Sequence, residues 1–393
     1  MADATLKKLH DKDGQPMSRE YRTFAHLDVD RPNDCEFGFW PQTLRRWVGE
    51  GCPKDIVEEI QSEIGDGCFH QKFDQLIGTD HGEGREQTFG LPIHNQMNPK
   101  FEPEVLESDD KTEVRRDANG VVARWWKGGG SDASIPEYLE FPVTDRESWR
   151  KVKERFRVDD PERTLDPARI DRARDAAASG SAIQMFTRGF YGQLRNWVGV
   201  ENLSYLFYDD PDLVEEMAHH WTDIILRSIE QLPDDVPVHS MGWWEDMCFN
   251  HGPLCSVEQF ETFFVPCYQR VMDALAEHGC RVSWVDSDGN IHPIAHGWLK
   301  AGVNVMFPCE VAAGTDMFKL REQFGPSVRL KGGIDKIAIA RGRDAIDREL
   351  DRIAPLLEQG GFVPHLDHLV PPDIAFDDYM YYREQKKKLI GKA

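Results

Sequence analysis

The chain has 393 residues, with 69 acidic against 47 basic side chains and a formal charge of -22. That balance, with no basic stripe, argues against nucleic acid or an anionic membrane surface as the main partner. The first residues, "MADATLKKLHDKDGQPMSREYRTF", lack the apolar run of a secretory signal. No stretch of 18 apolar residues follows, and eight cysteines occur without a CxxC pair, so a cytoplasmic enzyme with reduced thiols is expected.

In chain order the strand-like runs are "CEFGFW" at 35–40, "SAIQMFT" at 181–187, "VPVHSMGWW" at 236–244, "RVSWVD" at 281–286, "VNVMF" at 303–307, "VRLKGGI" at 328–334 and "GFVPHL" at 361–366. Helical segments separate them from residue 181 onward. The alternation predicts an α/β fold with a parallel sheet, best read as a (β/α)8 TIM barrel forming a single domain over 1–393; a doubly wound sheet gives a similar pattern.

Residues 86–142 break the rhythm with an Asn119-Gly120 turn and a Gly128-Gly129-Gly130 run, and read as a β-hairpin-containing excursion that covers one end of the barrel or makes an oligomer contact. Asp210 and Pro211 announce one helix. Ser256 and Gln259 form a capping box for another, which Gly279 ends and Pro266 should bend. The basic tail "REQKKKLIGKA" reads as the end of a solvated helix.

Five acidic or histidine clusters fall at or just beyond strand ends, where barrel active sites are built: Glu245-Asp246, Asp286 with Asp288, Glu310, Asp335, and Asp367-His368. A single carboxylate there is often a helix cap, but five in succession suggest a site. Residues two apart on a strand share a face, so Asp286 and Asp288 should converge, and two such carboxylates need a cation, a shared proton or a basic neighbour. His368 could bind zinc through a neutral imidazole, with Cys309 as a further thiolate candidate. Trp243, Trp244, Arg188, Phe190 and Tyr191 supply aromatic walls and a cation for a flat substrate.

The stretches "GWWEDMCFNHGPLCSVEQFETFFVPCYQRVMDAL", "VDSDGNIHPIAHGWLKAGVNVMFPCEVAAGTDM", "LKGGIDK" and "GGFVPHLDHLVPPDIAFDDYMYY" resemble the uroporphyrinogen decarboxylase superfamily, over roughly 180–390. The resemblance implies a (β/α)8 barrel and either of two activities: cofactor-free decarboxylation, or zinc-dependent methyl transfer to or from a corrinoid protein. The decarboxylase branch carries an Arg-Gln-Ala-Gly-Arg segment near its start; here the region reads "CEFGFWPQTLRRW", with Arg45 and Arg46 the nearest basic pair. The methyltransferase branch holds zinc with a His-x-Cys pair and a later cysteine. Asp286, Asp288 and His368 stand at those three positions, a harder donor set for zinc or another divalent metal.

The first expectation is therefore a metal-assisted methyltransferase or demethylase acting on a small methoxylated or methylated compound, with a separate corrinoid protein as methyl acceptor. Asp286, Asp288 and His368 would be the metal ligands. Glu245, Glu310 and Asp286 would be the acid/base groups, and Trp243, Trp244, Arg188, Tyr191 and Asp335 the substrate contacts. The second expectation is a metal-free decarboxylase or lyase on a small acid, with Asp286 and Asp288 handling protons and Arg188 binding a carboxylate. The resemblance also implies a homodimer.

Overall fold

The computed structural model describes residues 13–64, 71–84, 86–127 and 135–392. The Gly128-Gly129-Gly130 run and Cys68 lie outside the described residues. Seven strands form one sheet: β1 Thr88–Leu91, β2 Ala182–Arg188, β3 Ser240–Trp244, β4 Val282–Asp286, β5 Val305–Phe307, β6 Arg329–Ile334 and β7 Phe362–Leu366. Their spatial order is their chain order, and every pairing is parallel. A doubly wound sheet would reverse its order part-way. The fold is thus the singly wound α/β arrangement of a TIM barrel.

Two separate apolar clusters show the curvature. Ile183, Met185, Met241, Trp243, Val285, Met306 and Leu330 belong to the large core shared with the helices. Their strand neighbours Ala182, Val282, Val305 and Val363 instead pack with Tyr21 and Phe24. Alternate residues of a strand face opposite sides, so the second set lines the lumen, and the helix Arg19–Phe24 plugs its N-terminal end. The same alternation carries Phe186, Gly242 and Trp284 inward as one tier. Above them Arg188, Trp244, Asp286 and Phe307 form the next, each paired in register with its neighbour.

Two sequence expectations need correction here. Residues 35–40 do not form a regular strand. The segment runs extended past the end of β7 with a single parallel bridge, Phe39 to Val370, fixed by Trp40 N–H donating to Val370 O (3.2 Å) and Val370 N–H donating to Gly38 O (2.9 Å). Its buried carboxylates explain why: Asp34 and Glu36 are held by Arg383 (2.8 and 2.7 Å), and Glu36 also by Lys386 (2.7 Å), so the segment is tied to a helix rather than to a strand ladder. For the same reason the C-terminal helix Phe376–Leu389 is not a solvated one, since Arg383 and Lys386 are fully buried.

The excursion is also smaller than expected, because β1 lies inside the 86–142 range. The remainder is a four-stranded antiparallel meander: Glu104–Ser108, Thr112–Arg116, Val122–Trp126 and Glu137–Glu140. Its central turn is built as the sequence predicts. Asp117 Oδ1 accepts from the backbone of Asn119 (2.8 Å) and Val121 (2.9 Å), and Gly120 takes φ +87°.

The predicted helix starts hold. Asp210 caps Pro211–Ile229, and Ser256 and Gln259 form the reciprocal capping box. The bend expected at Pro266 is a π-helical turn over Phe260–Phe264 directly before it, which absorbs the ring and the missing N–H.

Candidate active site

The strands end in a mouth lined by rings. Phe186 and Trp284 stack with centroids 5.3 Å apart, and Trp284 meets Phe307 edge-on at 5.9 Å. The stack depends on Gly242 between them. A Cβ there would stand 2.3 Å from Trp284 Cζ2 and 2.8 Å from Phe186 Cδ2. Phe307 in turn meets Phe37 at 4.6 Å, and Phe37 meets His368 at 5.5 Å. Beneath the rings Lys331 Nζ is held by Glu20 (2.8 Å) and lies 5.5 Å from the centre of Phe307.

Asp286 closes β4 on the lumen side, partly buried, and its backbone carbonyl accepts from Glu245 N–H (2.9 Å) and Asp246 N–H (3.1 Å). Burial, with the charges of Asp288 and Asp246, pushes its carboxyl well above the ordinary range, against a smaller opposing effect of Lys331. Two residues on, Asp288 Oδ2 lies 3.4 Å from His368 Nε2, while Asp288 Oδ1 is buried with no partner among the described residues. Burial opposes a charge on His368, but the hydrogen bond and charge of Asp288 outweigh it and the imidazole pKa is raised. The turn between them needs its glycine: Gly289 has φ +84°, and a Cβ would meet the Cys248 carbonyl carbon at 2.5 Å.

The structure assigns other sequence candidates to different work. Glu245 is fully buried and accepts from the Phe190 N–H (2.8 Å), the Gly192 N–H and the Tyr268 hydroxyl, so it anchors the start of the helix Phe190–Val198 and has no access to substrate. Burial raises its pKa to about 7 despite those donors. Trp243 points outward by the pleat, donates to Ser283 Oγ (2.9 Å) and packs in the core; Tyr191 is buried in the core too. Asp335 is a helix N-cap, accepting from Ile337 N–H. Glu310 braces the site from behind, bonding Lys336 Nζ (2.9 Å) and the Gly289 N–H (3.2 Å). Cys309 is buried with its thiol pushed up to about 12.

Trp244 does reach the mouth, under the Arg195 guanidinium at 4.9 Å, and Arg195 Nη2 pairs with Asp246 (2.8 Å). Arg188 ends β2 on the same tier, and its guanidinium has no hydrogen-bond or ion-pair partner among the described residues. Burial lowers its pKa, partly offset by Asp117.

The expected metal set is assembled only in part. Among the described residues no three His, Cys, Asp or Glu side chains converge as metal ligands. Asp288 and His368 face each other as an ion pair, an arrangement that favours the protonated imidazole, which cannot ligate. In this arrangement the two side chains satisfy each other, and a divalent ion would have to replace the proton between them.

The residues that sequence reasoning missed are Phe186, Trp284, Phe307, Phe37 and Trp40. The first two carried a usable signal, since Phe186 lies two before Arg188 and Trp284 two before Asp286, on the same strand faces.

Residues 170–388 match the family model described as uroporphyrinogen decarboxylase (URO-D). The chain belongs to the URO-D family. Strands β2 to β7 and every candidate from Arg188 to His368 lie within the URO-D match, whereas the meander, Phe37 and Trp40 lie outside it. The fold is also similar to that of a methyltransferase from Methanosarcina mazei, at a TM-score of 0.52 and 13% identity, covering 94% of this chain and 98% of that one. A B12-independent methionine synthase from Shewanella sp. W3-18-1 aligns at a TM-score of 0.40 and 11% identity, over 87% of this chain and 90% of that one. Among curated proteins no sequence matches. No helix among the described residues is long and apolar enough to cross a membrane.

Proposed function

We propose that this URO-D family member is a methyltransferase of the demethylase type, acting on a small methoxylated compound, with a corrinoid on a separate protein as methyl acceptor. The observation that carries the reading is Asp286: an inward carboxyl, held towards its neutral form by burial and by two neighbouring carboxylates, beside an aromatic wall. Ether demethylation needs a proton on the leaving oxygen. As the C–O bond breaks, its electron pair stays on oxygen, which takes the Asp286 proton, and the methyl carbon passes to the reduced corrinoid. Asp288 and His368 hold a further proton at the mouth, from which solvent can restore Asp286.

The test is incubation of the purified chain with pre-reduced cobalamin and either methoxybenzene or 4-methoxybenzoate, following methylcobalamin by absorbance and the phenol by chromatography. Both products should form in equal amounts. Asp286→Asn should slow the reaction by about a hundredfold to ten-thousandfold, the range expected for losing a general acid. Release of carbon dioxide from 4-methoxybenzoate without methylcobalamin would replace this reading by the second one, a metal-free decarboxylase. That reading is favoured by one observation, the partly buried and unpaired guanidinium of Arg188, which suits a carboxylate.

A further inference from the structure

A cavity of about 450 Å³ opens between the meander and the mouth of the barrel. The size is that of a small-molecule site. Arg188, Gln193 and Trp197 line it from the barrel side, and Asp117, Tyr138 and Phe141 from the side of the excursion and the segment that follows it. Neither the URO-D match nor the dyad at Asp288 and His368 includes this second wall.

Two features specify a ligand. Arg188 is a cation without a partner among the described residues, whereas Arg195 in the same cavity is committed to Asp246. The charge balance selects among anions. One free guanidinium facing Asp117 suits a monoanion and disfavours a dianion such as a phosphate monoester, and the rings of Tyr138 and Phe141 suit a flat apolar body.

We infer that the cavity under the meander binds a small aromatic monocarboxylate, with the carboxylate on Arg188. This deepens the proposed function and rests on it for one point only, that the bound acid is the methyl donor. Arg188, Trp244 and Asp286 are in register on three adjacent strands. Two strand spacings of ~4.8 Å put the Arg188 and Asp286 backbones about 10 Å apart, a span that an arginine side chain and a ring acid bridge together.

Calorimetric titration of the whole chain with 4-hydroxybenzoate tests the inference, with 4-hydroxybenzamide as the neutral isostere and phenyl phosphate as the dianion. The acid should bind, and the amide and the phosphate should each bind at least about tenfold more weakly. Arg188→Gln should weaken the acid by about tenfold to a hundredfold and leave the amide unchanged, as expected for one charge-assisted contact. Tyr138→Ala, at an exposed position in the meander, should weaken acid and amide alike. Equal affinity for acid and amide, or wild-type affinity in Arg188→Gln, would overturn the inference. The two proposals fail separately: binding of the acid without methyl transfer removes the demethylase and keeps the site, and methyl transfer from methoxybenzene without binding of the acid does the reverse.

Discussion

His368 Nε2 lies 3.4 Å from Asp288 Oδ2, and the same imidazole stacks on Trp40 with ring centroids 5.9 Å apart and 21° between planes. The aromatic face excludes water from one side of the ring while Asp288 stabilises its charge from the other. The folded-state pKa of His368 is raised, so the pair contributes stability that is fully present below the unfolded value of about 6.5 and is lost as pH rises through the folded one. With Asp288 34% exposed, screening holds the contribution to the order of 1 kcal/mol. An NMR titration of His368 should show the raised value in the wild type and a fall in Asp288→Asn.

Asp286 acts on the same, alkaline side of the pH profile. As a general acid it must carry its proton, so kcat should fall as pH rises through its elevated pKa. Asp286→Asn should lose both that limb and the rate, with the dissociation constant for substrate nearly unchanged. A wild-type rate that shows no fall with rising pH over the range in which the protein stays folded would assign the proton to another group.

Glu245 should report on folding and leave the chemistry alone. Its pKa is raised from 4.5 to about 7, so the folded state loses about 3 kcal/mol as pH climbs between those values. Glu245→Gln should flatten this part of the stability curve. Glu245→Ala should cost about 3–5 kcal/mol, because the Phe190 and Gly192 N–H groups and the Tyr268 hydroxyl would be left buried and unpaired. Denaturant melts at pH 5 and pH 8 separate the two effects.

Zinc uptake offers a check on the ligand set. A zinc ion would need His368 deprotonated and turned from Asp288, so affinity measured with a chelator-buffered series should strengthen as pH rises through the His368 pKa. Tight, stoichiometric zinc at pH 6 that disappears in both His368→Ala and Asp288→Ala would show that the side chains rearrange around the metal.

Adjacent residues of "GWWED" should behave differently because they face opposite sides of β3. Trp243→Phe leaves Ser283 Oγ without its donor and should lower stability by about 1–2 kcal/mol with KM unchanged. Gly242→Ala, one residue earlier and on the inner face, would push a methyl into the Phe186–Trp284 stack and should raise KM with a smaller effect on melting. Steady-state kinetics and thermal melts of the two variants check the assignment of faces.

That pair also marks how far the sequence could be read. The strands from residue 181 onward, their parallel arrangement and the place of Asp286 at a strand end followed from alternation and from carboxylates at strand ends, all local patterns. Which tryptophan of a pair enters the lumen depends on register, and register is fixed by neighbouring strands up to some 60 residues away. Glu245 looked catalytic because it follows a strand; its real partners are backbone N–H groups more than 50 residues earlier, which no local pattern reveals. The Asp288–His368 contact spans 80 positions; only the resemblance brought the two together, as metal ligands, and no local pattern shows that they face each other directly.

Residues 34–40 bring Phe37 and Trp40 against His368, yet they are secured by Arg383, Lys386 and Lys392, which grip Asp34 and Glu36 at 2.7–3.0 Å. One face of the reaction chamber is therefore only as durable as the last helix. If residues 383–392 detach, two buried carboxylates lose their counter-charges and the wall behind the imidazole goes with them. Amide exchange at the mouth and in that helix should accordingly proceed with one shared opening free energy, as a single cooperative unit joining opposite ends of the sequence.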